Sequence, residues 1–431
     1  MKIRLILILK NNMYKKTQLK NKTNVYLIPL ENTQAVTVLV MFPVGSRYES
    51  SKLNGVSHFI EHLMFKGTKK RPNTLTLTRE IDRLGAEYNA FTSKEYTGYY
   101  IKTDAKYLET AVDILSDMLF SSKFDAREME KEKTVIVEEL RTYKDNPIMN
   151  IENVFEELMF DGCPLAWDIG GTEKHVMNYK REDVLKFKKR YYCPENTTIV
   201  VAGNIDENIN KILTKYFDGR KSGGVLGNQF KPAKFGVATK KRRLRVEHKK
   251  TDQAQMMLGF SGFHYNHKSS PVLAVLNTIL GGSMSSRLFI QIRERRGLAY
   301  MIRSGSDSFR DIGYVYVRVG LEVKNINKAI EVIKQELEKI KSKGVTKKEL
   351  QDAKTHIRGG LSLSMEDSGA QASWYARQAL FADKIKTPEQ KLAKIDKVTN
   401  QEIIALANKI FDFDKMRVAV IGDVKREEIE F

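Results

Sequence analysis

At 431 residues, with 42% hydrophobic, 29% charged and 9% aromatic side chains, the chain has room for two or three domains that each bury a core. No apolar run approaches the ~20 residues needed to span a bilayer, which argues against a membrane protein. The net charge of +20 comes mostly from dispersed lysines. Its one cluster is Lys240, Lys241, Arg242, Arg243 and Arg245, with no nucleic-acid module around it, so a basic nucleic-acid-binding protein is only a remote alternative.

The start, residues 1–12, reads as a short extension before Met13, because the apolar run 5–9 is too short for a secretory signal and no small-residue cleavage site follows. Strands are expected over Asn24–Pro29 and Ala35–Phe42. A helix containing Ser57-His58-Phe59-Ile60-Glu61-His62-Leu63 comes next, with Asn54 as its expected cap and Gly67 as its stop. Further helices are expected over 75–84, 107–119, 126–143, 151–158 and 181–191, with a hairpin over 87–103 and a strand over 197–203. Cys163 and Cys193 each precede proline and form no C-x-x-C pair, which argues against a disulfide scaffold or a cysteine metal site and fits a reducing, cytoplasmic compartment; an organelle matrix or the periplasm stays open.

The Gly- and Lys/Arg-rich segment 219–245 reads as a linker between a first domain, 13–218, and a second, 246–431. Beyond it the pattern of the first half returns. Gln34-Ala35 before a strand matches Gln253-Ala254 before another (253 − 34 = 219), and the strands closing on Gly203 and Gly422 share that offset (422 − 203 = 219). The chain is therefore read as a duplication, each copy a sheet with helices packed on it.

One turn of helix separates His58 from His62, so both imidazoles can reach one ion, and Glu61 projects beside it without having to be a ligand. Two imidazoles, a third ligand and an open position for water make a catalytic zinc site, with Glu61 as general base; His-x-x-Glu-His is the inverzincin order. At the 219 offset His58, Glu61 and His62 fall on Asn277, Leu280 and Gly281, so the second copy lacks the donors. A requirement of the fold would be expected in both copies. The third ligand is sought on the helix 126–143, where Glu132 and Glu139 lie seven apart on a face shared with Val135 and Ile136. That face is expected to be buried, where a carboxylate without a cation or donors is costly, and this makes Glu139 a candidate ligand with Glu132 behind it.

The spacing from His62 to Glu139, with 76 residues between (139 − 62 − 1), resembles that of the pitrilysin/insulinase family, especially its small bacterial members and processing peptidases. The likeness runs from about Met13 to the end and includes Gly45-Ser46-Arg47, Phe65-Lys66-Gly67-Thr68, Asn89-Ala90-Phe91-Thr92 and the stretch Glu132 to Glu139. It implies an α+β fold of two homologous domains, each a mostly antiparallel mixed sheet covered by helices. It also implies one Zn2+ per chain on His58, His62 and Glu139, support from Glu132, and no other cofactor.

By the same resemblance Asn89, Ala90, Phe91 and Thr92 form a sheet edge on which substrate is laid as an added strand, a mode with little sequence dependence. An ordinary amphipathic hairpin is the alternative. Arg293 and Tyr300, seven apart, match a family pair that contacts substrate and the developing oxyanion. Because this chain carries both zinc motif and Arg/Tyr pair, a homodimer is expected, its site taking zinc from one copy and the pair from the other. Glu152 and Glu156, four apart on a helix, fall near where the mitochondrial processing enzyme holds a basic substrate residue, or are simply two solvated carboxylates. The resulting reading is a zinc endopeptidase acting on unfolded or presequence-like peptides, with a noncatalytic scaffold or partner subunit as the alternative.

Overall fold

The computed structural model describes residues 14–219, 223, 224, 227, 230–239 and 242–431. The expected extension, 1–12, and Lys240 and Lys241 of the basic cluster lie outside the described residues. Six strands form the first sheet: β1 (Lys15–Gln18), β2 (Asn24–Pro29), β3 (Ala35–Phe42), β4 (Glu87–Thr92), β5 (Thr97–Asp104) and β6 (Thr198–Gly203). Their spatial order is β1-β2-β6-β3-β5-β4, antiparallel except where β2 meets β6. The second sheet takes β7 (Leu244–His248), β8 (Gln253–Ser261), β9 (Ala299–Ser308), β10 (Gly313–Glu322) and β11 (Arg417–Gly422) in the order β7-β11-β8-β10-β9. There too one pair, β7 with β11, is parallel.

The central strands read as nearly continuous apolar runs because both of their faces are covered. On β3, Val36, Val38, Val40 and Phe42 join a core with Phe59, Ile60 and Leu63 of the helix Val56–Leu63 and Ile136 of the helix Ala126–Asp145. Leu39 and Met41 point the other way and meet Ala372, Tyr375 and Ala376 of the helix Ser368–Phe381, whose first residue bonds Thr37 (Oγ1 to Oγ, 2.8 Å). The second sheet is covered in the same manner. Met256, Leu258 and Phe260 of β8 face a large core containing Val275 and Leu276, while Met257, Ala419 and Ile421 face Ile151, Val154 and Phe155 of the helix Pro147–Met159.

Two compact units result, neither contiguous in sequence. One holds the described residues within 1–140, 168–231 and 363–385; the other holds those within 141–167, 232–362 and 386–431. Each unit contains a helix drawn from the opposite half of the duplication, and those two helices correspond, since 147 + 219 = 366 falls two residues before Ser368. The expected linker has no regular structure over 230–239, while its last two residues, Leu244 and Arg245, already belong to β7. Among the described residues no helix is long and apolar enough to cross a membrane.

Candidate metal centre

The helix Val56–Leu63 buries Val56, Phe59, Ile60 and Leu63, the i, i+3, i+4, i+7 stripe, and this turns His58, Glu61 and His62 to its other face. Its start differs from expectation. The cap position is Gly55 (φ 94°), not Asn54, and the capping group is the side chain of Glu49, which accepts from the backbone N–H of Gly55 (2.6 Å) and Ser57 (2.7 Å) and from Asn54 Nδ2 (3.2 Å). A carboxylate reaching back from the preceding turn satisfies the free helix N–H groups better than the shorter Asn54 side chain. Burial raises the Glu49 pKa above the usual carboxylate range, against the pull of those hydrogen bonds. The helix also stops earlier than expected, at Leu63; Gly67 (φ 105°) instead makes the following turn, where a Cβ would lie 2.7 Å from the Pro72 carbonyl oxygen.

His58 Nε2 and His62 Nε2 are 3.3 Å apart, and Glu139 Oε2 lies 3.7 Å from the first and 3.4 Å from the second. Donors held ~2.0–2.2 Å from one ion at tetrahedral angles are about 3.3–3.6 Å apart, so the spacing of the three atoms fits a zinc ion. These residues form the group of potential metal ligands found among the described residues. Glu132, 3% exposed, places Oε1 2.8 Å from His62 Nδ1 and so fixes the ring from behind. Glu139 is half-buried. Val135, expected beside them in the core, is instead 51% exposed, because the buried stripe of its helix runs through Met129, Glu132, Lys133, Ile136 and Val137.

Without a metal the two imidazoles separate electrostatically. Burial works against a charge on His62, but hydrogen bonds to Glu132 and Glu139 hold its pKa up at about 9. Burial, then the neighbouring His62, pushes His58 down to about 4. Among the described residues His58 Nδ1 is buried with no hydrogen-bond partner.

Glu61 faces the same site. Burial raises its pKa, and its Oε2 accepts a 2.5 Å hydrogen bond from Thr92 Oγ1. Thr92 ends β4, the outer strand of the first sheet, which pairs with β5 and with no other strand among the described residues. On β4 the Asn89 side chain accepts from the backbone N–H of Ala90 (2.8 Å), and the Phe91 ring lies over Gly98, where a Cβ would sit 2.3 Å from it.

The remaining expected residues lie in the second unit. Arg293 belongs to a π-helical turn, Phe289–Glu294, and its guanidinium stacks over Phe289 (4.8 Å) and over Tyr300 (5.0 Å), which is 73% exposed. Glu152 and Glu156 are not the solvated pair that was one of their two readings. Glu156 is 5% exposed, and the Tyr314 hydroxyl lies 3.2 Å from its Oε1 and 3.4 Å from that of Glu152. Nearby Asp307 is pushed up to about 7 by burial and by these two carboxylates.

Two homologous sheets, with a His-x-x-Glu-His helix and a distal Glu on the first, define the class of two-unit metallopeptidase-like chains. A protease from Helicobacter pylori has this fold (TM-score 0.87, 24% identity, 95% of this chain and 99% of that one), as does a chain of complex III2 from Candida albicans (TM-score 0.82, 19% identity, 95% and 96%). Residues 24–172 match the insulinase (peptidase family M16) model, and residues 178–357 match the peptidase M16 inactive domain. An uncharacterised zinc protease of Bacillus subtilis, YmxG, is 34% identical over 93% of this chain and 97% of its own length, and one from Rickettsia bellii is 31% identical over 94% and 97%. The chain belongs to the pitrilysin/insulinase family, peptidase family M16.

Proposed function

We propose that this protein is a zinc-dependent endopeptidase that cleaves unfolded or presequence-like peptides. The observation carrying the proposal is the convergence of three donor atoms at zinc-ligand spacing with a half-buried carboxylate, Glu61, tied to the edge strand by Thr92. Names of relatives that include zinc protease support it. The complete donor set favours catalysis over a noncatalytic scaffold.

His58, His62 and Glu139 would hold the ion, which when bound supplies Lewis acidity and makes a water easier to deprotonate. Glu61 takes the proton from the attacking water and delivers it to the amine leaving the cleaved peptide bond, a role suited to a carboxyl whose pKa is raised. The Thr92 hydroxyl holds that carboxylate in place. The unpaired edge of β4, at Asn89, Ala90, Phe91 and Thr92, receives the substrate backbone as an added strand, which selects extended chains over folded ones.

Arg293 and Tyr300 of a second copy are proposed to complete the site, and Glu152, the less buried member of its pair with Glu156, to meet a basic substrate side chain. Hydrolysis per chain that falls on dilution supports the shared site; a dilute monomer as active as the dimer refutes it. The function itself is tested by Glu61→Gln. Zinc content should stay at the wild-type level while peptide hydrolysis drops by about 10²–10⁴-fold, the contribution of a positioned general base. Unchanged hydrolysis would refute it.

A further inference from the structure

Glu132 has two oxygens, and each has its own partner: Oε1 meets His62 Nδ1 at 2.8 Å, and Oε2 meets the ammonium of Lys66 at 2.5 Å. We propose that Lys66 is a positioning residue of the metal centre, holding Glu132 by one oxygen so that the other fixes the His62 ring with Nε2 turned toward His58 and Glu139. The proposal rests on the reading of those three residues as metal ligands.

The lysine is held by an anchored turn. Its N–H bonds the Leu63 carbonyl (3.2 Å), and Lys123 N–H bonds that of Gly67 (3.1 Å). Thr68 bonds Arg71 through the backbone (2.7 Å) and Asp117 through its hydroxyl (2.6 Å). Arg71, 1% exposed, is fully engaged with Glu80, Asp113 and Asp117, and Lys133 with Glu130, so these cations serve other carboxylates. A terminal carboxylate torsion is broad and nearly two-fold, so a carboxylate tethered at one oxygen can rotate where one tethered at both cannot. Charge-assisted bonds of this kind are among the stronger ones in proteins.

The duplication offers an internal control. At the 219 offset Lys66 falls on Ser285 (66 + 219), Glu132 on Gln351 (132 + 219) and His62 on Gly281 (62 + 219). The second copy keeps both helices, Ser270–Gly281 and Lys347–Ser364, yet lacks all three residues. A lysine present only to complement a helix C-terminus or to tie two helices together would be useful in both copies. Lys66 and Glu132 occur where the ligand occurs.

The test is zinc affinity of the full chain, measured by competition with a chromophoric chelator, for wild type, Lys66→Met, Lys66→Arg, Glu132→Gln and the Lys66→Met/Glu132→Gln double variant. Groups that orient a metal-binding histidine are worth about 10–100-fold in affinity. Lys66→Met should lose that much, more than the accompanying fall in the unfolding midpoint of the metal-free protein accounts for. Lys66→Arg should restore most of it, and the double variant should bind no more weakly than Glu132→Gln alone. Wild-type affinity in Lys66→Met overturns the proposal, as does a weakened affinity matched by a lower metal-free midpoint and not restored by Arg. If wild type binds no zinc, or His58→Ala binds it unchanged, the ligand assignment itself has failed, and the role of Lys66 with it.

Discussion

The helix Val56–Leu63 and its counterpart Ser270–Gly281 share a place in two homologous sheets, and they differ in what lies between helix and edge strand. In the first unit a hydrogen-bonded pair, Glu61 and Thr92, bridges to β4. In the second the approach is closer: a Cβ on Gly281 would sit 2.4 Å from the backbone nitrogen of Ser304 on β9, and the Ser304 hydroxyl donates to the Asn277 carbonyl (2.9 Å). The opposing helix differs as well, with Gln351 and Arg358 at the positions of Glu132 and Glu139 (132 + 219, 139 + 219). One copy thus keeps space and carboxylates for an ion, while the other has closed the space and lost the acids.

The largest effect that separates the copies is expected from paired substitutions at equivalent positions. Glu139→Gln should abolish zinc retention and peptide hydrolysis together, whereas Arg358→Gln, which removes a surface ion pair with Asp396, should leave both unchanged and shift stability by no more than about 0.5 kcal/mol. Metal analysis and a peptide assay on the two variants read this directly. Next comes an attempt to make the copies alike. Gly281→His should lower stability by about 1–3 kcal/mol through overpacking against β9, and with Asn277→His added the chain should still bind no second zinc. A second equivalent of bound zinc would break the comparison.

A smaller effect is expected at Glu49. Its counterpart is Lys268 (49 + 219), a cation that cannot accept from helix N–H groups, and at the second helix the neutral ring atom His267 Nδ1 accepts from Ser269 N–H (3.1 Å) instead. Glu49→Gln puts an amide donor against backbone N–H groups and should cost about 1–3 kcal/mol in thermal or denaturant unfolding. The mildest test is proton release. His62 is protonated below about 9 and His58 neutral above about 4, so near pH 7.5 each zinc taken up should displace about one proton. Apparent affinity should then rise about tenfold per pH unit and level off above about 9. Calorimetric titration in buffers of different ionisation enthalpy checks this.

The duplication, the two sheets and the donor set were legible because each is written as spacing along the sequence: a 219-residue offset, a one-turn histidine pair, and a distal Glu139 with 76 residues between it and His62. What spacing could not show depends on where a chain segment folds back. Asn54 has the composition of a cap, yet the buried Glu49 reaches the helix first. Val135 lies on the ligand side of its helix in projection but about 100° from the buried Ile136, and only packing decides which of the two is covered. Glu156 looked like a surface charge until Tyr314, 158 residues later, was placed over it. The exchange of covering helices between the two halves of the sequence was likewise invisible, since an amphipathic stripe does not say which sheet it covers.

The central claim is that the first copy alone carries a working metal site. It is tested most directly by counting zinc per chain in protein reconstituted after chelation, alongside hydrolysis of a mixed peptide library. One zinc per chain with hydrolysis restored in proportion is the predicted result. No zinc, two zincs, or hydrolysis that persists in the metal-free protein would contradict it.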